Sequence, residues 1–179
     1  MLKNGLWSAL LGCWLLVGCA SPSWVVIRQE AAQEPLGQRI AIEPLDTSHL
    51  ATVEGLNEPT STAKASTAFV GYASEAAKTI GGLAVEQAAP DLIVRSKVAE
   101  ADPGFASTIY TRPSKLVIHV SLERPDGRVL EVIQLQSSTN VSTDTKTSSA
   151  RLERDLRIVT QRLGSYLAAR TKDQGTATP

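Results

Sequence analysis

Three sets of residues carry the types and spacing that could do chemistry. Ser61-Thr62-Ala63-Lys64 sets a hydroxyl and an amine three residues apart, and Ser138-Thr139-Asn140 and Lys146-Thr147-Ser148 add more of both. A serine becomes a useful nucleophile when a neighbouring base takes its proton. Asp46 and His49, with Glu54 and His119 added, are metal-ligand types. A metal site needs three or four positioned ligands and a supporting shell, and the sequence itself brings together only Asp46-x-x-His49. The third is a single thiol, Cys19, at the end of an uncharged run over residues 5–18.

The thiol has the clearest context. One positive charge, Lys3, precedes the apolar run, and Ala20-Ser21-Pro22-Ser23 follows it. A basic start, an apolar centre of roughly 7–15 residues and small residues at the cut form a secretory signal. A spanning helix would need about 20 apolar residues. Leu16-Val17-Gly18-Cys19 resembles the lipobox of bacterial lipoprotein precursors at all four positions. That resemblance implies cleavage between Gly18 and Cys19 and a diacylglyceryl thioether on the Cys19 sulfur. No Asp follows the cysteine. Under enterobacterial-type sorting this implies the outer membrane, with the domain facing the periplasm.

The three Ser/Lys motifs resemble those of penicillin-binding proteins and β-lactamases, which implies Ser61 as nucleophile and Lys64 as its helper. Three features count against a peptidoglycan hydrolase of that kind. The chain is much shorter than that family's catalytic domain. The second and third motifs lie almost side by side. The last lacks the glycine that lets a strand approach the substrate. The motifs read instead as solvated linkers, with no catalytic residues, no cofactor and no metal expected.

Composition narrows the rest. Removing residues 1–18 takes Lys3 from the 18 Lys and Arg that balance 18 Asp and Glu, leaving a net charge of about −1. Such a balance gives no electrostatic footprint for nucleic acid. Aromatics are 4% of the chain, so the core must be aliphatic. With Cys13 in the signal and Cys19 lipidated, no disulfide would hold the exported fold.

Hydrophobic periodicity then places the elements. Residues 24–29 have an extended pattern and could form an edge strand. Residues 39–45 alternate and stop at Pro44. The polar stretch 46–66 is long for a loop; it could hold a short helix near 50–56 or act as a mobile functional loop. Phe69, Ala73, Ala76, Ile80 and Leu83 predict a helix over 67–86. Strands follow over 92–98, 116–122 and 128–136, with Pro125-Asp126-Gly127 as a hairpin turn. Ser148 or Ser149 caps a last helix. Its stripe is Leu152, Leu156, Val159, Leu163, Tyr166 and Leu167, and its wet face carries Arg151, Glu153, Arg154, Arg157 and Arg162.

The predicted fold is α+β: one mainly antiparallel sheet of four to five strands, with two amphipathic helices packed on one face. The predicted organisation is a signal peptide at 1–18, a lipidated tether and possible edge strand at 19–38, an α+β periplasmic domain at 39–171 and a disordered tail at 172–179. This element order, with the "RIAIEPL" opening strand, resembles the periplasmic domains of YajG-like and CsgG-like lipoproteins and the TolB amino-terminal domain. The expected role is an accessory or interaction module in the cell envelope. Its partners would be the membrane, through covalent lipid, and an envelope protein. The alternative is a small-ligand or lipid-binding module, with a groove between helices and sheet gated by residues 46–66.

Overall fold

The computed structural model describes residues 24–30, 34–107 and 109–175. Gly18, Cys19 and the lipobox lie outside them. The strands are β1 (Trp24–Gln29), β2 (Arg39–Ile42), β3 (Ala84–Val85), β4 (Leu92–Asp102), β5 (Phe105–Ala106), β6 (Thr111–Arg112), β7 (Lys115–Glu123) and β8 (Val129–Ser137). The helices are α1 (Pro59–Thr79) and α2 (Ser148–Gly175), with a 3-10 turn at Leu50–Thr52. Six strands form one sheet in the order β1-β8-β7-β4-β2-β3, and β5 and β6 make a separate two-stranded ribbon.

The expected sheet of four to five strands is therefore too small, and it is mixed. β1, β8, β7 and β4 are antiparallel neighbours, whereas β2 runs parallel to both β3 and β4. The parallel part follows from α1, a crossover helix long enough to return the chain to the same end. β3 has two residues, too few to show any period in sequence. β1 joins the sheet through Trp24↔Leu135 to Gln29↔Glu131, with an irregularity between Val26 and Arg28.

α1 begins eight residues before its expected start and ends seven before its expected end. Pro59 sits in its first turn, where the missing N–H costs nothing. The first two turns bury only Ala65, so no apolar stripe announced them. At the other end Gly82 has φ +66, and the reversal lets the Leu83 amide donate to the Ala77 carbonyl at 3.0 Å. Leu83 is thus buried from a turn, while Ile80 stays 41% exposed. Residues 46–66 are not one loop: Leu50 and Leu56 are buried, and the segment from Pro59 onward is helix.

α2 runs through Gly175, so residues 172–175 belong to a helix rather than to a tail. Extending a formed helix fixes one more residue per hydrogen bond gained, which needs no apolar anchor. Its cap is Thr147, whose Oγ1 accepts the Ala150 N–H at 3.1 Å; it is neither Ser148 nor Ser149. All six expected stripe residues are buried. Together with Phe69 and Ala73 of α1 they pack on Val94, Ile118, Val120, Leu122, Ile133 and Leu135 of the sheet. Gly164 allows the two helices close contact: a Cβ there would lie 2.8 Å from the Ala76 carbonyl oxygen.

Candidate functional site

The region next to the predicted lipidation site is β1. It closes the sheet at one side, so among the described residues only its β8 side is paired. Val25, Val26 and Ile27 are 58%, 40% and 49% exposed. A bare edge with apolar side chains is a template for another strand. What fixes β1 in place is Trp24, whose ring meets Tyr166 of α2 edge-on at 5.5 Å and 76°. Behind it the Tyr166 hydroxyl donates to Glu131 of β8, and Arg170 Nε donates to the same carboxylate at 2.6 Å. Glu131 is fully buried. A buried carboxylate persists only when paired and hydrogen-bonded, and here both conditions are met.

A second buried carboxylate sits nearer the start of α2. Asp155 accepts hydroxyl donors from Ser114 at 2.6 Å, Ser137 at 2.5 Å and Thr139 at 2.7 Å. All four residues are buried. Three hydroxyls aimed at one enclosed carboxylate tie α2 to the β7 and β8 ends; they offer no open position to a substrate. One turn earlier Arg151 is also buried, not on the wet face. It donates to the carbonyls of Pro103, Thr145 and Lys146 at 2.8, 2.9 and 2.7 Å. Sequence reasoning missed these residues, although each left a signal. Asp155 and Arg170 interrupt the apolar stripe of α2, and Glu131 shares the register of Ile133 and Leu135.

The predicted Ser/Lys motifs do not converge. Ser61 and Lys64 line a groove of about 330 Å³ between α1 and α2, with Ala68, Leu152 and Leu156. Ser138 lies on another surface, at the sheet end, beside Arg112 and Arg162. Thr139 of that motif is held by Asp155, and Lys146 lends only its carbonyl to Arg151. Asp46 and His119 share a depression on the open sheet face with Arg95, Lys97 and Glu123. The Asp46 carboxylate accepts the Ser48 N–H at 2.9 Å, which with the Ser48 hydroxyl lowers its pKa. Among the described residues no group of three or more His, Cys, Asp or Glu is placed to hold a metal ion.

The surface between the helices and the gate expected for a ligand also take a definite form. Tyr72 of α1 donates to Glu153 of α2 at 2.8 Å, and the Arg157 guanidinium lies 4.1 Å from its ring centre. Burial and the Glu153 carboxylate push the Tyr72 phenol pKa up. Beneath residues 46–66 the space is filled by Leu45, Leu50, Leu56 and Phe69, none more than 3% exposed.

No protein-family model matches the chain, and no curated protein matches it. Among solved structures, the hypothetical protein CT253 from Chlamydia trachomatis is similar with a TM-score of 0.51 and 12% identity, over 73% of this chain and 98% of that one. A PelC dodecamer subunit from Paraburkholderia phytofirmans gives 0.45 at 12% identity, over 79% and 98%. Lipoprotein GNA1162 from Neisseria meningitidis gives 0.40 at 12% identity, over 79% and 100%. The first likeness is one of fold. A shared fold does not carry an activity with it. Among the described residues no helix is long and apolar enough to cross a membrane.

Proposed function

We propose that this chain is a bacterial lipoprotein, held in the outer membrane by lipid on Cys19, whose periplasmic domain is a non-enzymatic interaction module in envelope assembly or maintenance. The observation that carries the reading is the position of the open edge. β1, with Val25, Val26 and Ile27 exposed, begins five residues after the cysteine of Leu16-Val17-Gly18-Cys19. An extended segment of an envelope protein could add to that edge as a further strand, with backbone hydrogen bonds giving affinity and the exposed side chains giving specificity. The lipid would keep the edge within a short tether of the membrane, where two or three acyl chains anchor stably.

Two measurements test it. A photo-crosslinking residue at Val25 should give discrete adducts in intact cells, while the same residue at Asp126, at the other end of the sheet, should not. Equal or absent adducts at both positions would reject the interaction reading. The anchor is tested separately. Wild-type protein should take up labelled palmitate, fractionate with outer membranes and resist high-salt washing, since apolar attachment is barely screened. Cys19→Ala should remain an unlabelled precursor. Release by salt would reject the anchor, and fractionation with inner membranes would reject only the sorting step.

A further inference from the structure

The β5–β6 ribbon exposes large apolar side chains that the core does not use. Phe105 is 52% exposed, Tyr110 62% and Ile109 97%. Its tip is built to hold them out. The Ser107 N–H and hydroxyl both donate to the Tyr110 carbonyl, at 2.9 and 3.0 Å, and the Ser107 oxygen accepts the Tyr110 N–H at 3.0 Å. At its base Gly104, with φ +68, lies so close to the returning chain that a Cβ would fall 2.6 Å from the Arg112 carbonyl oxygen. The stem carries no unpaired acid: Arg112 pairs with Asp102 at 2.9 Å and Lys115 with Glu100 at 2.7 Å.

Register places this ribbon relative to the anchor. Trp24 pairs with Leu135, Leu135 with Ile118 and Ile118 with Val98, so all four stand at one level of the sheet. After a bulge at Ala99, β4 continues three paired positions past that level, Glu100 to Asp102, roughly 10 Å, before the ribbon begins. The start of β1 and the ribbon therefore leave the same end of the sheet, three strand spacings or roughly 14 Å apart. The five residues 19–23 between lipid and Trp24 can span at most about 18 Å. The end of β4, roughly 10 Å past Trp24 with the ribbon following it, lies within the reach of that tether.

We infer that the tip of the β5–β6 ribbon is a second membrane contact, with Ile109 entering the acyl boundary and Tyr110 lying at headgroup level. Amphipathic aromatic rings favour that level, and a contact of this kind adds to a lipid anchor by burying apolar area. Two contacts would fix the orientation of the sheet, which one flexible tether cannot do. The inference rests on lipidation at Cys19.

The test uses the mature lipidated chain carrying Ile109→Cys, purified from membranes and reconstituted into phosphatidylethanolamine–phosphatidylglycerol vesicles. Cys19 is occupied by lipid, so a nitroxide maleimide attaches only at position 109. Collision with oxygen relative to a water-soluble nickel chelate should be several-fold higher at 109 than in an Asp126→Cys chain labelled at the far end of the sheet. Equal ratios at the two positions would overturn the membrane contact while leaving the anchor intact. Shielding at 109 in native outer-membrane vesicles but not in pure lipid would also overturn it and point to a protein occupant. Labelling of the unsubstituted chain would mean that Cys19 is free, and would overturn the anchor and this inference together.

Discussion

Single residues matter most here where a charge is buried. Glu131 holds the Tyr166 hydroxyl and the Arg170 guanidinium, and both Glu131 and Arg170 are almost out of solvent. Glu131→Ala should destabilise by about 3–5 kcal/mol in urea unfolding, because Arg170 is left buried without its partner. Adding Arg170→Met should recover part of that loss; a double mutant as unstable as the sum would contradict the pairing. Asp91 behaves differently because it is a surface clamp. The Arg39 guanidinium, then the Arg39 and Gln38 N–H groups, hold its carboxyl well below the usual range. A depressed folded-state pKa gives stability that is present above the unfolded value and lost as pH falls through the folded one. Wild type should therefore exceed Asp91→Asn in stability at neutral pH. The gap should close as pH drops below about 4, and a gap that is constant with pH would exclude the linkage.

At the scale of elements, the contacts that decide the fold are close approaches of backbone. α1 and α2 meet where Gly164 faces the Ala76 carbonyl. Gly164→Ala must push a backbone oxygen aside, and overpacking of this kind costs about 1–3 kcal/mol. Thermal unfolding should show the loss; an unchanged midpoint would mean that the helices can separate freely. The β7–β8 hairpin has the same dependence on one residue. The Gly127 N–H donates to the Arg124 carbonyl, and the Arg124 N–H to the Arg128 carbonyl, both at 2.9 Å, with Gly127 at φ +87. This is a type I turn followed by a left-handed residue, a common three-residue hairpin. Gly127→Ala meets no neighbour within 4 Å, so its cost is conformational only, about 1–2 kcal/mol.

For the whole molecule, the junction of interest is the docking of β1 onto a fold that is otherwise contiguous from β2 to α2. Trp24 packs against both Tyr166 and the core cluster. The other two tryptophans, Trp7 and Trp14, fall within residues 1–18. In the processed chain Trp24 fluorescence would therefore report β1 alone. Its emission should shift before global unfolding by circular dichroism, since β1 is held mainly by one strand ladder and one ring contact. A coincident transition would show that β1 is part of the cooperative core. Trp24→Ala should leave most of the circular dichroism intact while exposing the β8 edge, with self-association as the expected consequence.

The sequence by itself determined the elements with strong period or punctuation: the stripe of α2, the alternation of β7, the Pro125-Asp126-Gly127 turn and the α+β class. It also supplied the whole case for the anchor, since Cys19 is read from its neighbours in the chain. Tertiary structure decided what depends on contacts between distant residues. The first turns of α1 bury only Ala65, so their helicity comes from Pro59 and from propagation rather than from a stripe. β3 exists because β2 offers it a partner. Arg151 reads as solvated in any helical wheel, yet the Pro103, Thr145 and Lys146 carbonyls converge on it and replace its water. That the start of β1 and the apolar ribbon share one end of the sheet is a matter of register. Register is fixed by which strands pair, and pairing across many residues leaves no local mark in the order of amino acids.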